Sequence, residues 1–228
     1  SIADHTGANS LLWVAGNGDV GIGTSSLRSS ANITSLEISG NTYARHILKA
    51  TNSGGREYAL LSGTSGEFWV YDYTAGAIRF GIDATGAVTM PAQPAFLARP
   101  ASNQNNIAVG SDVDVVFGTE VFDQNSDFAS NTFTAPVTGR YQLNFSLRLQ
   151  EVDSAASYII CKIITSNRDY ESIFDPDFGQ DAQYWNPSLG VLADMDANDT
   201  ARVVFLQGTG TAQTDIHTQS HFSGYLVA

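Results

Sequence analysis

The sequence of 228 residues predicts an all-β protein built from antiparallel strands. The clearest signal lies between Tyr141 and Leu149, where apolar and polar residues alternate as in a strand that buries one face. Glycine, serine, threonine and asparagine are abundant, which is typical of short strands joined by tight turns. Hydrophobic residues make up 43% of the chain, enough for a core, and long helices are not expected.

Short hairpins are predicted along the amino-terminal part of the chain. Each consists of two apolar segments joined by a turn rich in glycine, asparagine or threonine. The paired segments are residues 11–15 with 20–24, residues 43–51 with 56–62, and residues 67–73 with 77–82. Residues 82–90 echo the first unit and indicate a weak internal repeat.

These hairpins contain too few large apolar residues to build a thick core, so a monomeric stalk would be marginally stable. Three chains wrapped about one axis would supply the missing core. The residues expected at these contacts are Leu36, Ile38, Ile47, Leu48, Leu60, Leu61, Phe68 and Trp69. We therefore predict an N-terminal β-hairpin stalk that forms a homotrimer.

A boundary between two domains is predicted at residues 90–94, because two prolines within this short segment interrupt strand hydrogen bonding. Residues 1–93 would form the stalk and residues 94–228 an antiparallel sandwich. The sandwich segment contains sixteen acidic and six basic side chains, whereas the stalk segment contains seven and five. An acidic surface is poorly suited to phosphate backbones, so no nucleic-acid partner is expected.

The sequence shows no apolar run near the ~20 residues that cross a bilayer, so no membrane insertion is expected. Cys161 lies within an apolar strand pattern and is expected to be a buried thiol.

Catalytic patterns are weak in this chain. Residues 16–21 match GxGxxG, but a poor helix start comes after them, so we interpret the segment as a turn. His217 and His221 would lie about 13 Å apart along one strand, too far to bind one metal together. In a trimer either histidine could meet its symmetry mates, although a histidine on a half-buried strand is the simpler interpretation. We predict no enzymatic activity, no catalytic residue and no required cofactor.

The candidate functional segment covers residues 167–186, which combine aromatic, amide and acidic side chains. Aromatic faces beside amide groups are typical of sugar-binding sites, because the apolar face of a sugar packs on a ring while its hydroxyls bind polar groups. The candidate glycan-binding residues are Tyr170, Tyr184, Trp185 and Asn186.

Closely spaced carboxylates in the same segment provide the oxygen ligands that calcium prefers. The candidate ligands are Asp175, Asp177 and Asp181, although their spacing is not that of an EF-hand. The alternative interpretation of the segment is a long loop whose aromatic side chains pack on the sandwich and whose acids face water.

Two separated motifs carry a family resemblance. Residues 133–141 read FTAPVTGRY, and residues 222–226 read FSGYL. In this order they resemble the globular head of complement component 1q and its tumour-necrosis-factor-like relatives, over residues 94–228. The resemblance implies an antiparallel jelly-roll sandwich that assembles as a homotrimer. Asn198 and Asp199 stand where these relatives have a Gly-Asp turn, and asparagine tolerates the positive φ of such a turn.

Residues 18–24 read GDVGIGT, which is similar to the GNVGIGT signature of bacteriophage tail fibres and tail spikes. There the signature lies in trimeric β stalks just before a receptor-binding tip. This resemblance implies a tail fibre in the virion, assembled with other phage tail proteins. Its tip would attach noncovalently to a bacterial surface receptor, either a glycan or an outer-membrane protein.

Two other functions stay open at this point. The chain could be a structural trimerisation module of a virion fibre, with no receptor binding of its own. It could also be a tail-spike glycan hydrolase, which would require paired carboxylates about 5 to 9 Å apart in a groove.

Overall fold

The computed structural model describes residues 2–3, 10–16, 18–24, 26–27 and 34–228, and every regular element in this part of the chain is a β-strand. The chain divides into two compact units, Ser1–Ala92 and Gln93–Ala228. The described residues include no helix that could cross a membrane.

Nine strands of the described residues form two sheets in the first unit. They are β1 (Ile2–Ala3), β2 (Ser10–Val14), β3 (Val20–Ile22), β4 (Leu36–Ile38), β5 (Ala44–Lys49), β6 (Glu57–Ser62), β7 (Phe68–Asp72), β8 (Ala77–Ile82) and β9 (Val88–Thr89). Strands β1 to β4 make one sheet, in which β3 and β4 run parallel. Strands β5 to β9 make a second sheet of antiparallel neighbours in chain order.

The three hairpins predicted from the sequence are confirmed as β2 with β3, β5 with β6, and β7 with β8. Of the turn before β3, Asn17 lies outside the described residues. One predicted trimer contact is wrong for the single chain, because Leu61 is already buried within its own unit. By contrast, Leu36, Leu48, Leu60 and Phe68 are exposed, along with Ile47.

A buried carboxylate ties the strands of the five-stranded sheet together. The side chain of Asp72 accepts hydrogen bonds from Arg56 Nη1 at 2.7 Å and Arg79 Nη2 at 2.8 Å. Its second oxygen accepts the backbone N–H of Ala75 in the following turn. Burial opposes ionisation of Asp72, but these hydrogen bonds and the two guanidinium charges outweigh it and hold its pKa below the ordinary value.

Fourteen strands of the described residues lie in the second unit. They are β10 (Ala95–Arg99), β11 (Val113–Asp114), β12 (Thr119–Asp123), β13 (Phe128–Ala129), β14 (Thr132–Thr134), β15 (Gly139–Ser146), β16 (Leu149–Val152), β17 (Ile159–Thr165), β18 (Asp169–Phe174), β19 (Ala182–Trp185), β20 (Ser188–Met195), β21 (Thr200–Gln207), β22 (Asp215–Ile216) and β23 (His221–Leu226).

Two antiparallel sheets of this unit enclose the main core. One has the order β12-β10-β23-β15-β20, and the other has the order β13-β14-β21-β17-β18 with β11 beside β21. Phe96 of the first sheet stacks on Phe133 of the second at 4.9 Å between ring centroids and meets Phe222 edge-on. A smaller sheet, β19-β16-β22, completes one end of the unit. The predicted antiparallel sandwich is therefore present.

Strand β15 is the centre of the first sheet and brings the two sequence motifs side by side. It pairs with β20 over its whole length and with β23 from Tyr141↔Leu226 to Ser146↔His221. Tyr141 is fully buried, and its hydroxyl donates to the carbonyl of Val137 at 2.7 Å in the turn before the strand. The tyrosine of the first motif thus holds the turn that precedes it.

Two local predictions are confirmed in the second unit. Cys161 is buried in β17, and burial raises the pKa of its thiol to about 12. Asn198 has a φ of 76° in the turn before β21, so asparagine supplies the left-handed conformation that a glycine would otherwise provide.

We predict that Gly224→Ala destabilises the second unit. An added Cβ would lie 2.7 Å from Leu143 Cδ2 and 2.8 Å from Phe96 Cε1. Because both neighbours are packed in the core, we expect a loss of about 1–3 kcal/mol in the free energy of unfolding, measured by urea denaturation. Gly190→Ala is the control, since its Cβ would meet the movable amide oxygen of Asn144 on an exposed face. A control as damaging as Gly224→Ala would contradict the packing explanation.

We predict that Asp72→Asn changes how the first unit responds to acid. A carboxylate with a lowered pKa stabilises the fold above its ordinary pKa of about 4, and this contribution is lost as the pH falls through the lower folded value. Wild type should therefore be more stable than the variant at pH 7, and the difference should vanish in strong acid. Acid unfolding followed by tryptophan fluorescence measures this, and a difference independent of pH would refute it.

Candidate functional site

The segment predicted as the functional loop is largely strand. Residues 169–174 form β18, which pairs with β17 from Ile159↔Phe174 to Ile164↔Asp169, and residues 182–185 form β19. The alternative interpretation of residues 167–186 as one long loop is therefore wrong. Tyr170, Ser172 and Phe174 alternate with exposed residues in β18, and this period-two pattern was the sequence signal for the strand.

Strand β19 holds the two aromatic residues predicted to contact a glycan. It lies beside β16, with Trp185 opposite Leu149 and Tyr184 opposite Gln150. Tyr184 is 53% exposed and Trp185 is 43% exposed, although β19 itself is hydrogen-bonded into a sheet. The two rings are therefore displayed to solvent from a fixed backbone.

Three rings form an aromatic cluster at this end of the unit: Phe174, Phe178 and Trp185. Phe178 lies 5.0 Å from Trp185 between ring centroids, and Phe174 lies 5.5 Å from Trp185. Phe174 and Phe178 are nearly parallel at 6.5 Å. Phe178 belongs to the connection between β18 and β19, so the aromatic cluster joins that connection to both strands.

Polar groups accompany the two exposed rings. The guanidinium carbon of Arg148 lies 4.7 Å from the ring centroid of Tyr184, within cation–π range, and Arg148 Nη1 donates to Gln219 Oε1 at 2.8 Å. The amide of Asn186 donates to Ser146 Oγ at 2.7 Å. Arg148 was not selected from the sequence, because its contact with Tyr184 depends on the pairing of β16 with β19.

Tyr170 stands apart from the other candidate residues. It is half-buried and packs against the core, four residues before Phe174 in β18. At the rise of a strand this separation is about 13 Å.

The three candidate calcium ligands have different surroundings. Asp181 accepts hydrogen bonds from the backbone N–H and hydroxyl of Ser154 and from the amide of Gln213, and these lower its pKa. An oxygen of Asp175 accepts the backbone N–H of Asp177. Among the described residues, no group of three histidine, cysteine or acidic side chains is arranged to hold a metal ion. Calcium binding at Asp175, Asp177 and Asp181 stays a prediction.

The two carboxy-terminal histidines do not share a strand. His217 follows β22, and a turn closed by the Ser220 N–H and the His217 carbonyl separates it from His221 at the start of β23. The assumed 13 Å spacing along one strand is therefore wrong, because the chain turns between them. His221 lines a shallow depression of about 410 Å³ with Leu97, Arg99 and Gln219.

The second unit matches the model of one protein family. Residues 95–227, more than half of the chain, match the C1q domain. Its antiparallel sandwich is the jelly-roll fold of that family, as the two sequence motifs predicted.

Solved structures are similar to the same part of the chain. The globular domain of zebrafish complement 1qA protein is 19% identical, with a TM-score of 0.44, and the match covers 60% of this chain and 98% of that chain. A crystal structure of murine APRIL at pH 8.0 is 10% identical, with a TM-score of 0.45, and the match covers 59% of this chain and 99% of that chain. The comparison with curated proteins found no match.

C1q domains typically trimerise, and they generally serve as binding or trimerisation modules rather than as enzymes. The family assignment rests on the match over residues 95–227 and on the fold of the second unit. The chain therefore belongs to the C1q domain family.

Proposed function

We propose that the chain is the tip of a bacteriophage tail fibre that binds a bacterial surface glycan noncovalently. In this proposal the protein belongs to the virion tail, and a homotrimer presents three copies of the site to the host. The observation that carries it is the pair of exposed rings of Tyr184 and Trp185, held on β19 beside the aromatic cluster. The GDVGIGT phrase at residues 18–24 supports the tail-fibre context.

The chemistry of this surface suits a sugar. The apolar face of a pyranose ring packs on an aromatic ring, and its hydroxyls bind amide and guanidinium groups at the edge. Trp185 supplies the larger face, and Phe174 and Phe178 support it from behind. Arg148 and Asn186 supply polar groups beside the two rings, each already oriented by a hydrogen bond within the chain.

Trimer formation would strengthen such binding. C1q domains typically trimerise, and three identical sites on one particle convert weak single contacts into strong attachment. The exposed apolar side chains of the first unit, Leu48, Leu60 and Phe68 among them, favour association because assembly would remove them from water.

The same exposed apolar side chains favour a second candidate function. A structural module would use them to bring three chains into register, while another protein contacts the host. This candidate requires no ligand at Tyr184 or Trp185. Removing those two rings should therefore abolish host binding in the first function and leave assembly intact in both.

We predict that Tyr184→Ala combined with Trp185→Ala strongly reduces binding of the purified chain to host cells. Losing a binding hot spot costs about 2 kcal/mol or more, which is roughly thirtyfold in affinity per site, and avidity in the trimer multiplies the loss. Phe122→Ala is the matched control, because Phe122 is 49% exposed on the edge strand β12. It should leave cell binding unchanged.

The outcomes separate the functions, provided that solution mass and circular dichroism show each variant folded and assembled. Undiminished binding by the double variant would overturn the glycan site and favour the structural module. Release of reducing ends from host polysaccharide by the wild-type chain would contradict noncovalent attachment and favour a hydrolase.

A further inference from the structure

A second aromatic site lies on the first unit, on one face of the β5 to β9 sheet. Its members are Tyr43, Leu61, Trp69, Tyr71 and Tyr73, which line a cavity of about 260 Å³. We call this the aromatic pocket. It contains no residue of the C1q domain, so it is separate from the surface around Tyr184 and Trp185.

Strand alternation places these residues on one face. Trp69 and Tyr71 are two apart in β7, and Tyr73 follows at the next position of the same parity. Trp69 lies opposite Leu61 of β6, and Tyr71 lies opposite Ala59. Leu61 and Ala59 are almost fully buried and form an apolar floor, whereas Tyr43 and Tyr73 are 47% and 37% exposed at the rim.

The rim of the aromatic pocket is held in place by contacts within the chain. Tyr71 and Tyr73 meet edge to face, with 4.8 Å between ring centroids. Arg45 Nη1 donates to the hydroxyl of Tyr73 at 2.7 Å, and its guanidinium carbon lies 5.8 Å from the centre of the same ring. Because that hydroxyl accepts the hydrogen bond from Arg45, its own proton stays available for a ligand.

We propose that the aromatic pocket binds a neutral glycan. Four aromatic rings offer faces for the apolar side of a sugar, and three tyrosine hydroxyls offer hydrogen bonds to its edge. All five lining residues are uncharged, and the guanidinium of Arg45 beside them is already bonded to Tyr73, so a neutral ligand is favoured. The cavity volume lies just below the ~300–1,000 Å³ of pockets for drug-sized ligands, which suits a segment of one or two sugar rings.

A second copy of this chain suits the opposite face better. There Leu48, Leu60 and Phe68 are 57%, 43% and 39% exposed, and none of them carries a polar group. Such a surface gains stability from burial against another apolar surface. The two faces of one sheet thus differ in chemistry, with hydroxyl-rimmed rings on one side and bare apolar side chains on the other.

Tryptophan fluorescence of the full chain tests the proposal. The chain has three tryptophans, and Trp13→Phe with Trp185→Phe leaves Trp69 as the sole reporter. The probes are maltotetraose, cellotetraose and N-acetylchitotetraose. We expect at least one of them to change the Trp69 emission in a saturable way.

Variants at the rim assign the response to the aromatic pocket. Tyr43→Ala should weaken the affinity about tenfold, since it removes one aromatic face. Tyr73→Phe keeps the ring but removes its hydroxyl, and it should weaken the affinity by a smaller factor. Tyr184→Ala in the second unit should leave the Trp69 response unchanged. It thereby separates this site from the one proposed for host attachment.

Two results would overturn the proposal. One is a Trp69 emission that none of the three glycans alters, or that Tyr43→Ala does not weaken. The other is a Trp69 side chain that acrylamide cannot quench in the assembled protein, together with dissociation of the assembly by Tyr43→Ala, because the occupant would then be another copy of the chain.

Discussion

The pairing of β15 with β23 is the contact on which the second unit depends. It joins the middle of the chain to its last strand, and it places Phe222 beside Phe145 in the core between the two sheets. The pairing leaves no room for a side chain at position 224, where Leu143 and Phe96 approach the backbone. The position of β16, and therefore of β19 and its exposed rings, depends on this arrangement because β16 comes directly after β15.

Much of this fold could be predicted because its signals are local. Alternation in β15 identified a half-buried strand, glycine and asparagine turns identified the hairpins, and Asn198 identified a turn by its tolerance of positive φ. The burial of Leu61 could not be predicted in the same way. It depends on which face of β6 the aromatic side chains of β7 cover, and the apolar residues on the two faces read alike in the sequence.

The candidate site was predicted by residue type better than by arrangement. Tyr184, Trp185 and Asn186 lie close together because they are consecutive, whereas Tyr170 was drawn in by its composition and packs elsewhere. Arg148 was missed because only the pairing of β16 with β19 brings it to Tyr184. The interaction of Asp181 with Ser154 and Gln213 likewise joins residues far apart in sequence, and no spacing rule indicates it.

Assembly connects the two units with the proposed attachment. The first unit exposes apolar side chains that a single chain leaves in water, and the second belongs to a family whose domains typically trimerise. Solution mass by light scattering on the full chain tests this claim most directly. We expect three times the protomer mass of 24.3 kDa, unchanged on dilution. A mass of one protomer would contradict it, because three sites would then not be presented together.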